Sequence, residues 1–443
     1  MSTIKVIGRR LFLRRATSAA ALLAGWGIGQ AQTDRAATPD AEVLARAAEN
    51  IQKHRRGPGV VVVRGEDGKV LPGVEVGLEQ VRHDFLFGCN FFMFGRLQEA
   101  EHEEAYRQRF AALLNYATLG FYWPYYEPQR GRPIYDYTDQ VVKWCQEHAI
   151  TCKGHPLVWD YADPRWLPQD FAEIRELSHA RVREIVARYK GRIDIWDVVN
   201  EPTHLGRFKT RTGEWAISVG AVPYVIEHLK IARAAHPRAT LFVNDYRTDP
   251  PFLRILEALR EEGKLLFDVV GIQSHMHGGG WPPGRVWEVC DTYARLGLPV
   301  HFTETTIVSG PRIEGEPWKP TTPEGEAAQA EYVPKFYTTL FGHPAVKGLT
   351  WWDFSDQGAW QGAPAGLVRR DMSPKPVYER LEGLIRRDWW SRGQAPTNAQ
   401  GEAAFTAFYG THRISARLPT GETLTKEVHW APGNANRFEL TLT

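Results

Sequence analysis

The sequence predicts an α/β protein built on one (β/α)8 barrel, the TIM-barrel architecture. A small β-rich N-terminal appendage precedes the barrel and a C-terminal β module follows it. Three observations predict this. Eight β-type runs alternate with helical runs between residues 83 and 390, the pattern of parallel strands joined by helical crossovers. Two of those runs end at a glutamate, Glu201 and Glu304, and barrels of this kind carry their chemistry at the C-terminal strand ends. Outside 83–390 the texture changes to short alternating runs punctuated by glycine.

Taken in order, residues 1–31 read as an export signal and not as fold. Arg9-Arg10-Leu11-Phe12-Leu13-Arg14 has the form of a twin-arginine motif. The apolar stretch from Ala16 to Ile28 is too short to span a bilayer comfortably, and Gly29-Gln30-Ala31 offers small residues to a signal peptidase. The expected destination is the periplasm or the cell exterior, with no transmembrane segment after signal removal. Residues 32–56 read as a polar linker and a helical run. Residues 57–82 read as the β appendage: Val60-Val61-Val62-Val63, a turn at Glu66-Asp67-Gly68-Lys69, then alternation from Val74 to Leu78. The barrel strands over 83–390 are expected to end near Asn90, Trp123, Trp159, Asn200, Tyr246, His275, Thr306 and Phe354. The clearest helix runs from Ser178 to Lys190, with Val182, Ile185, Val186 and Tyr189 on one face and Gly191 as its stop. Residues 394–443 read as a small β-sandwich-like module, for which carbohydrate binding and capping of the barrel both fit.

Composition narrows the partners. A net charge of +2 over 443 residues points to neither nucleic acid nor an anionic membrane surface. The 16 Trp and 16 Tyr supply flat faces of the kind that stack on sugar rings, although most such residues are core. The four cysteines make no metal-ligand pattern. Cys145 and Cys152 could pair in the periplasm, but buried free thiols are the expected state. His275 and His277 alternate onto one strand face, yet no third ligand is spaced to join them. No metal and no cofactor are expected.

The chemistry is read from two stretches. Ile193 to Val199 is an apolar, β-branched run that stops at Asn200-Glu201-Pro202, because proline cannot continue a ladder. Pro299 to Ile307 is a second β-rich run, with Glu304 near its end. One strand-end glutamate is unremarkable. Two of them are what glycoside hydrolysis needs: one protonates the leaving oxygen, and the other attacks the anomeric carbon at ~5–5.5 Å separation or activates water when further apart.

At these residues the chain resembles glycoside hydrolase family 10, the retaining endo-β-1,4-xylanases of clan A. The resemblance is carried by Trp196-Asp197-Val198-Val199-Asn200-Glu201 and by Thr303-Glu304, and it runs over roughly residues 50 to 390. It implies Glu201 as acid/base and Glu304 as nucleophile. Gly154-His155-Pro156-Leu157-Val158-Trp159 resembles the family's Gly-His-x-Leu-Val-Trp, which implies that His155 and Trp159 line the sugar pocket. By the same resemblance Asn200 donates to the sugar 2-hydroxyl, and Gln273 reaches the sugar. His275 bonds the nucleophile and keeps it ionised. Tyr246 lines the pocket or supports it from behind, and His204 orients its loop. Trp352, Asp356 and Trp360 match on the eighth strand, where Asp353 replaces the usual Gly.

The largest departure lies on the second strand. The family's Glu, Asn and Lys, which grip the second sugar of the glycone side, are replaced by Thr118, Leu119 and Tyr122. Glu304-Thr305-Thr306 also replaces Glu-Leu-Asp. The expectation is therefore a retaining β-glycosidase, acting as a monomer on β-1,4-linked plant cell-wall polysaccharide of xylan type or on a decorated glycan. A glycan-binding protein that has lost catalysis, or a glycosidase of different β-glycoside specificity, are the alternatives.

Overall fold

The computed structural model describes residues 39–417 and 421–441, so the expected export signal at 1–31 lies outside the described residues. After a helix at Asp40–His54 come β1 (Arg56–Arg64) and β2 (Glu75–His83). The barrel follows with β3 (Leu86–Asn90), β4 (Tyr116–Gly120), β5 (Thr151–His155), β6 (Ile195–Asn200) and β7 (Thr240–Asp245). A two-residue hairpin, β8 (Arg260–Glu261) and β9 (Lys264–Leu265), precedes β10 (Val269–Met276), β11 (Val300–Ile307) and β12 (Val346–Trp351). The eight barrel strands pair in parallel in chain order, and β12 closes back onto β3. Helices cover the outside and side chains fill the inside, so the strands are buried on both faces. All eight residues of β11 are buried, which is why these strands read as continuous rather than alternating runs.

Existence and order of the strands match the expectation, and three of the ends do not. β4 stops at Gly120, not near Trp123, because Pro124 opens a short helix at Trp123–Tyr126. β5 stops at His155, not near Trp159, because Pro156 has no N–H to offer a ladder. β12 stops at Trp351, not near Phe354. The expected helix at 178–190 instead spans Phe171–Tyr189. Asp170 caps it by accepting from the Glu173 N–H at 2.9 Å, and Asp170 with Glu173 is a capping pattern readable in the sequence.

β-Structure is present at both ends, but the two segments are not independent of each other. The C-terminal strands are β13 (Arg392–Pro396), β14 (Glu402–Phe408), β15 (Gly410–Arg417), β16 (Thr423–Trp430) and β17 (Arg437–Thr441). β1 lies between β14 and β17 in one sheet, and β2 lies between β13 and β15 in the other, which β16 completes. Val61, Val63, Ala403 and Leu440 of the first sheet share a core with Val76, Leu78, Ile414 and Trp430 of the second. The appendage and the terminal module are one β-sandwich. Trp430 packs so closely on β1 that a Cβ on Gly59 would lie 2.2 Å from its ring, and its indole N–H donates to the Gly57 carbonyl. Arg55 joins sandwich to barrel. Its buried guanidinium donates at 2.6–2.7 Å to the Phe341 and His343 carbonyls, at the C-terminus of the helix Pro323–Gly342, and to the carbonyl of Val346, the first residue of β12. A cation there meets the negative end of the helix and its free carbonyls.

Candidate active site

The site forms where β5, β6, β7, β10 and β11 end. Glu201 follows β6 directly and adopts φ 55°, ψ 48°, the left-handed region that non-glycine residues seldom enter. Its N–H donates to the Asn244 carbonyl at 2.8 Å and Pro202 opens a 3-10 turn behind it. The kink turns the carboxylate across the barrel mouth, where the Gln273 amide donates to it at 3.3 Å. Such strain of ~1–3 kcal/mol persists only where its surroundings hold it. Glu304 lies within β11. The ladder on either side of it slips register, between Ile272 and Gln273 on β10 and between Phe302 and Thr305 against β12.

The two carboxylates have different partners. Asn244 donates to Glu304 Oε1 at 2.7 Å, and His275 Nε2 meets Glu304 Oε2 at 3.0 Å. The His275 Nδ1 faces the Thr306 hydroxyl at 2.8 Å. Burial lowers His275 to about 3, so the ring is neutral, with Nε2–H donating to the carboxylate and Nδ1 accepting from Thr306. His155 Nε2 stands 3.8 Å from Glu304 Oε1. Behind it runs a buried chain: His155 Nδ1 to Asp197 at 2.6 Å, and Lys153 Nζ to the same Asp197 oxygen at 2.7 Å. Burial alone would raise Asp197, but Lys153 and His155 hold it below the usual range.

Glu201 has fewer contacts. Its Oε2 accepts no hydrogen bond, and the Arg207 guanidinium is 3.6 Å away. Burial lifts Glu201 to about 8, assisted by the Asp245 and Glu304 carboxylates and opposed by Arg207 and Gln273. Burial also lifts Glu304, to about 7, against the pull of His155, Lys153 and Asn244. The expected bond from His275 to Glu304 is present, and burial acts against it on the Glu304 carboxyl. Burial thus raises both carboxyls above the usual range, and Glu304 has the more donors around it. Asn200 Oδ1 ties the two sides together by accepting from Asn244 at 2.8 Å and from Gln273 at 3.1 Å.

Aromatic rings wall the mouth. Trp352 stands edge-on to His155 and His275, at 5.3 and 5.7 Å, and Trp360 lies 4.4 Å from His275. Tyr122 meets His155 at 5.6 Å and Trp159 at 5.9 Å, while Trp159 stacks on Tyr161 at 4.7 Å. A small hollow lies against Tyr122, Pro156, Trp159, Tyr161 and Thr212. Tyr246 sits to the other side, its hydroxyl bonded to His204 Nδ1 and its ring parallel to that imidazole at 5.3 Å. The structure thus brings Glu201, Glu304, His155, Asn200, Gln273, His275, Trp352, Trp360, Tyr122 and Trp159 to one mouth, with Tyr246 on its flank. Among the described residues no group of three metal-ligating side chains is assembled, and Cys145 and Cys152 are free and buried.

Two parts of the site differ from the sequence reading. Leu119 does not face the mouth. It pairs with Gly154, and a Cβ on Gly154 would lie 2.1 Å from the Trp196 ring, which packs on Phe121 and on Tyr189 of the helix layer. Paired residues in a parallel ladder share a face, so Leu119 points outward with Trp196, whereas Thr118 and Gly120 share the inner face with Lys153 and His155. Of the three departures on this strand, Thr118 and Tyr122 alone bear on the site. The second difference is an omission: Lys153, Asp197, Asn244 and Arg207 have no role in the sequence reading. A lysine in β5 and an aspartate in β6, each inside an otherwise buried strand, were the available signal, since buried charges occur in pairs. Arg207 lies in a loop, where nothing marks it.

Comparison with known proteins bears on this geometry. The family model described as glycosyl hydrolase family 10 matches residues 82–383. The chain is 27% identical over 387 residues to anti-sigma-I factor RsgI6 of Acetivibrio thermocellus, covering 85% of this chain and 47% of that protein. It is 27% identical over 317 residues to endo-1,4-beta-xylanase 5 of Arabidopsis thaliana, covering 68% of this chain and 51% of that protein. The chain thus spans about half the length of these two relatives. Among solved structures, xylanase 10B from Thermotoga petrophila RKU-1 in complex with xylobiose superposes with a TM-score of 0.59 at 23% identity, over 69% of this chain and 95% of that one. That likeness is one of fold.

Proposed function

This chain belongs to glycosyl hydrolase family 10, and on that footing we propose that it is a retaining β-glycosidase, hydrolysing β-1,4-linked plant cell-wall polysaccharide of xylan type or a decorated glycan. The observation that carries this reading is the asymmetry of the two carboxylates. Glu304 accepts from two donors, whereas Glu201 accepts from Gln273 alone among the described residues and has one oxygen without a hydrogen bond.

In the first step the Glu304 carboxylate attacks the anomeric carbon and the glycosidic C–O bond breaks. The departing oxygen takes the proton of Glu201, and a glycosyl ester remains on Glu304. In the second step Glu201, now a carboxylate, takes a proton from water as the water oxygen attacks the same carbon. The ester bond breaks, Glu304 returns as carboxylate and Glu201 as acid. As the ester forms, charge leaves Glu304, and Asn244 and His275 stay in place to receive it again. The chain acts as a monomer in this reading.

Two variants test the roles. Glu304→Ala should abolish turnover even of an activated aryl glycoside, since no ester can form. Glu201→Ala should lose general catalysis but recover on a substrate with a good leaving group when azide is added, because azide needs no base. Activity retained in Glu304→Ala would sink the nucleophile assignment.

We also propose export to the periplasm or beyond by the twin-arginine route, on the strength of Arg9-Arg10. Among the described residues no helix is long and apolar enough to cross a membrane. Replacing both arginines with lysine should hold the precursor in the cytoplasm, and normal export of that double variant would refute the route.

A further inference from the structure

The hydrolysis above makes no use of Arg207, which stands at the rim of the site. Its side chain is 33% exposed, and its guanidinium lies 5.1 Å from the Phe208 ring and 5.7 Å from the Tyr246 ring. Its side chain makes no hydrogen bond to a described residue, while its backbone N–H donates to the His204 carbonyl at 3.2 Å. Its nearest anion is Glu201 Oε2 at 3.6 Å, beyond hydrogen-bonding distance. Arg247 beside it is different, for its Nε donates to Asp249 at 2.7 Å and a second contact makes the pair bidentate. Arg207 is a planar cation held between aromatic rings, with its donors unused.

Its position is unfavourable for the proposed acid. A cation beside Glu201 favours the ionised carboxylate, whereas the first step needs the proton kept. That conflict disappears when an anion from elsewhere occupies the guanidinium. Glu201 protonates the leaving oxygen, so the departing sugar lies on its side of the site, where Arg207 and Tyr246 stand.

We infer that Arg207 is a receptor for a carboxylate on the substrate: the glycan this chain prefers carries a uronic-acid substituent on the leaving-group side of the cleaved bond. The inference rests on the glycosidase reading. The guanidinium fork matches a carboxylate with two parallel hydrogen bonds, a fit that an ammonium does not reproduce. The other groups around it do not supply that charge. His204 is lowered by burial and by Arg247 and Arg207, which disfavours its charged form. Asp160 is buried, accepts from the Gly206 N–H through Oδ2 at 2.6 Å, and acts on Arg207 through its charge without a hydrogen bond. Of the charges that act on Glu201, Asp245 and Glu304 favour its protonated form. Binding of an acidic substituent thus offsets a nearby charge that opposes the acid.

The test compares xylotetraose with xylotetraose bearing a glucuronic acid branch, using wild type, Arg207→Gln and Arg207→Lys. Wild type should favour the acidic substrate by about tenfold or more in kcat/KM, in keeping with a charge-assisted pair. Arg207→Gln should lose that ratio and Arg207→Lys should keep part of it. On the neutral substrate the alkaline limb of the pH profile should move to higher pH in Arg207→Gln, which a merely structural residue would not cause. Equal rates on both substrates in wild type, or a ratio unchanged in Arg207→Gln, would overturn the inference. Calorimetric binding of the same two oligosaccharides to Glu304→Gln, with and without Arg207→Gln, decides the matter without turnover. If wild type hydrolyses neither substrate, the glycosidase reading fails, while a binding preference lost with Arg207 still upholds the receptor, and equal affinities reject it.

Discussion

Asp197 shows how much one buried side chain can organise. It holds His155 by one ring nitrogen and Lys153 by the ammonium, with all three side chains sealed from water. Removing one partner of such a pair leaves a charge without compensation, at a cost of ~3–5 kcal/mol, whereas replacing both with apolar groups is often close to neutral. Asp197→Leu should therefore lower the denaturation free energy by about that much, and Lys153→Met with Asp197→Leu should recover most of it. The double variant should fold and still be slow, because His155 has lost its orienting carboxylate. A double variant as unstable as the single one would show that the pair is not what holds this region. The two glutamates yield a prediction in pH. In the proposed mechanism Glu304 must be ionised, and burial raises it to about 7, so kcat/KM should fall below that pH. Glu201 must be protonated and rises to about 8, so kcat/KM should fall above that. A bell between these limbs is expected, and its two apparent values belong to the pair rather than to either residue. Activity that is maximal near pH 5 would contradict this account.

At the scale of an element, β4 is the instructive strand. With Leu119 turned toward the helices, restoring the family's asparagine there would place an amide among apolar neighbours. Leu119→Asn should cost ~2 kcal/mol or more, read as a drop in melting temperature, with no gain on linear xylo-oligosaccharides. Thr118→Glu and Tyr122→Lys alter the face that the site uses, so these two are the changes expected to raise kcat/KM on xylotetraose. The wild-type chain, with an aromatic rather than a polar wall here, should be weak on unsubstituted linear xylan. A protein that cleaves plain xylan as its best substrate would not be explained by this wall. The same packing governs Gly154, where any side chain meets Trp196.

At the scale of the whole molecule, the sandwich ties the ends of the chain to each other and to the barrel. β1 and β2 find their partners more than 300 positions later, as in Val61 with Ala403 and Leu78 with Ile414. Truncation after Ser391 would leave both strands with open edges and would expose Val61, Val63, Val76 and Leu78. The truncated protein should be insoluble or should melt well below the full chain, as followed by circular dichroism. A truncated chain with unchanged melting and activity would mean that the sandwich is dispensable. Arg55→Ala should loosen the same junction, since it strands two helix-terminal carbonyls and the first carbonyl of β12 at once.

The barrel, its strand order and the two strand-end glutamates were legible in the sequence, because apolar runs, prolines and glycines act locally and each run is read within its own few residues. The same holds for His155, Asn200, Gln273 and His275, which lie in short stretches of recognisable form. What the tertiary structure alone decided concerns facing and distance. The side of β4 that Leu119 occupies depends on register with β5 and on the bulk of Trp196. The single sandwich depends on pairings between the two ends of the chain. The level of the Glu304 carboxyl depends on how completely its neighbours exclude water. Arg207 meets Glu201 only because a loop folds back over the end of β6, and no local pattern encodes that approach. Periodicity and turn chemistry are properties of neighbours along the chain, whereas register, burial and charge pairing are properties of neighbours in space.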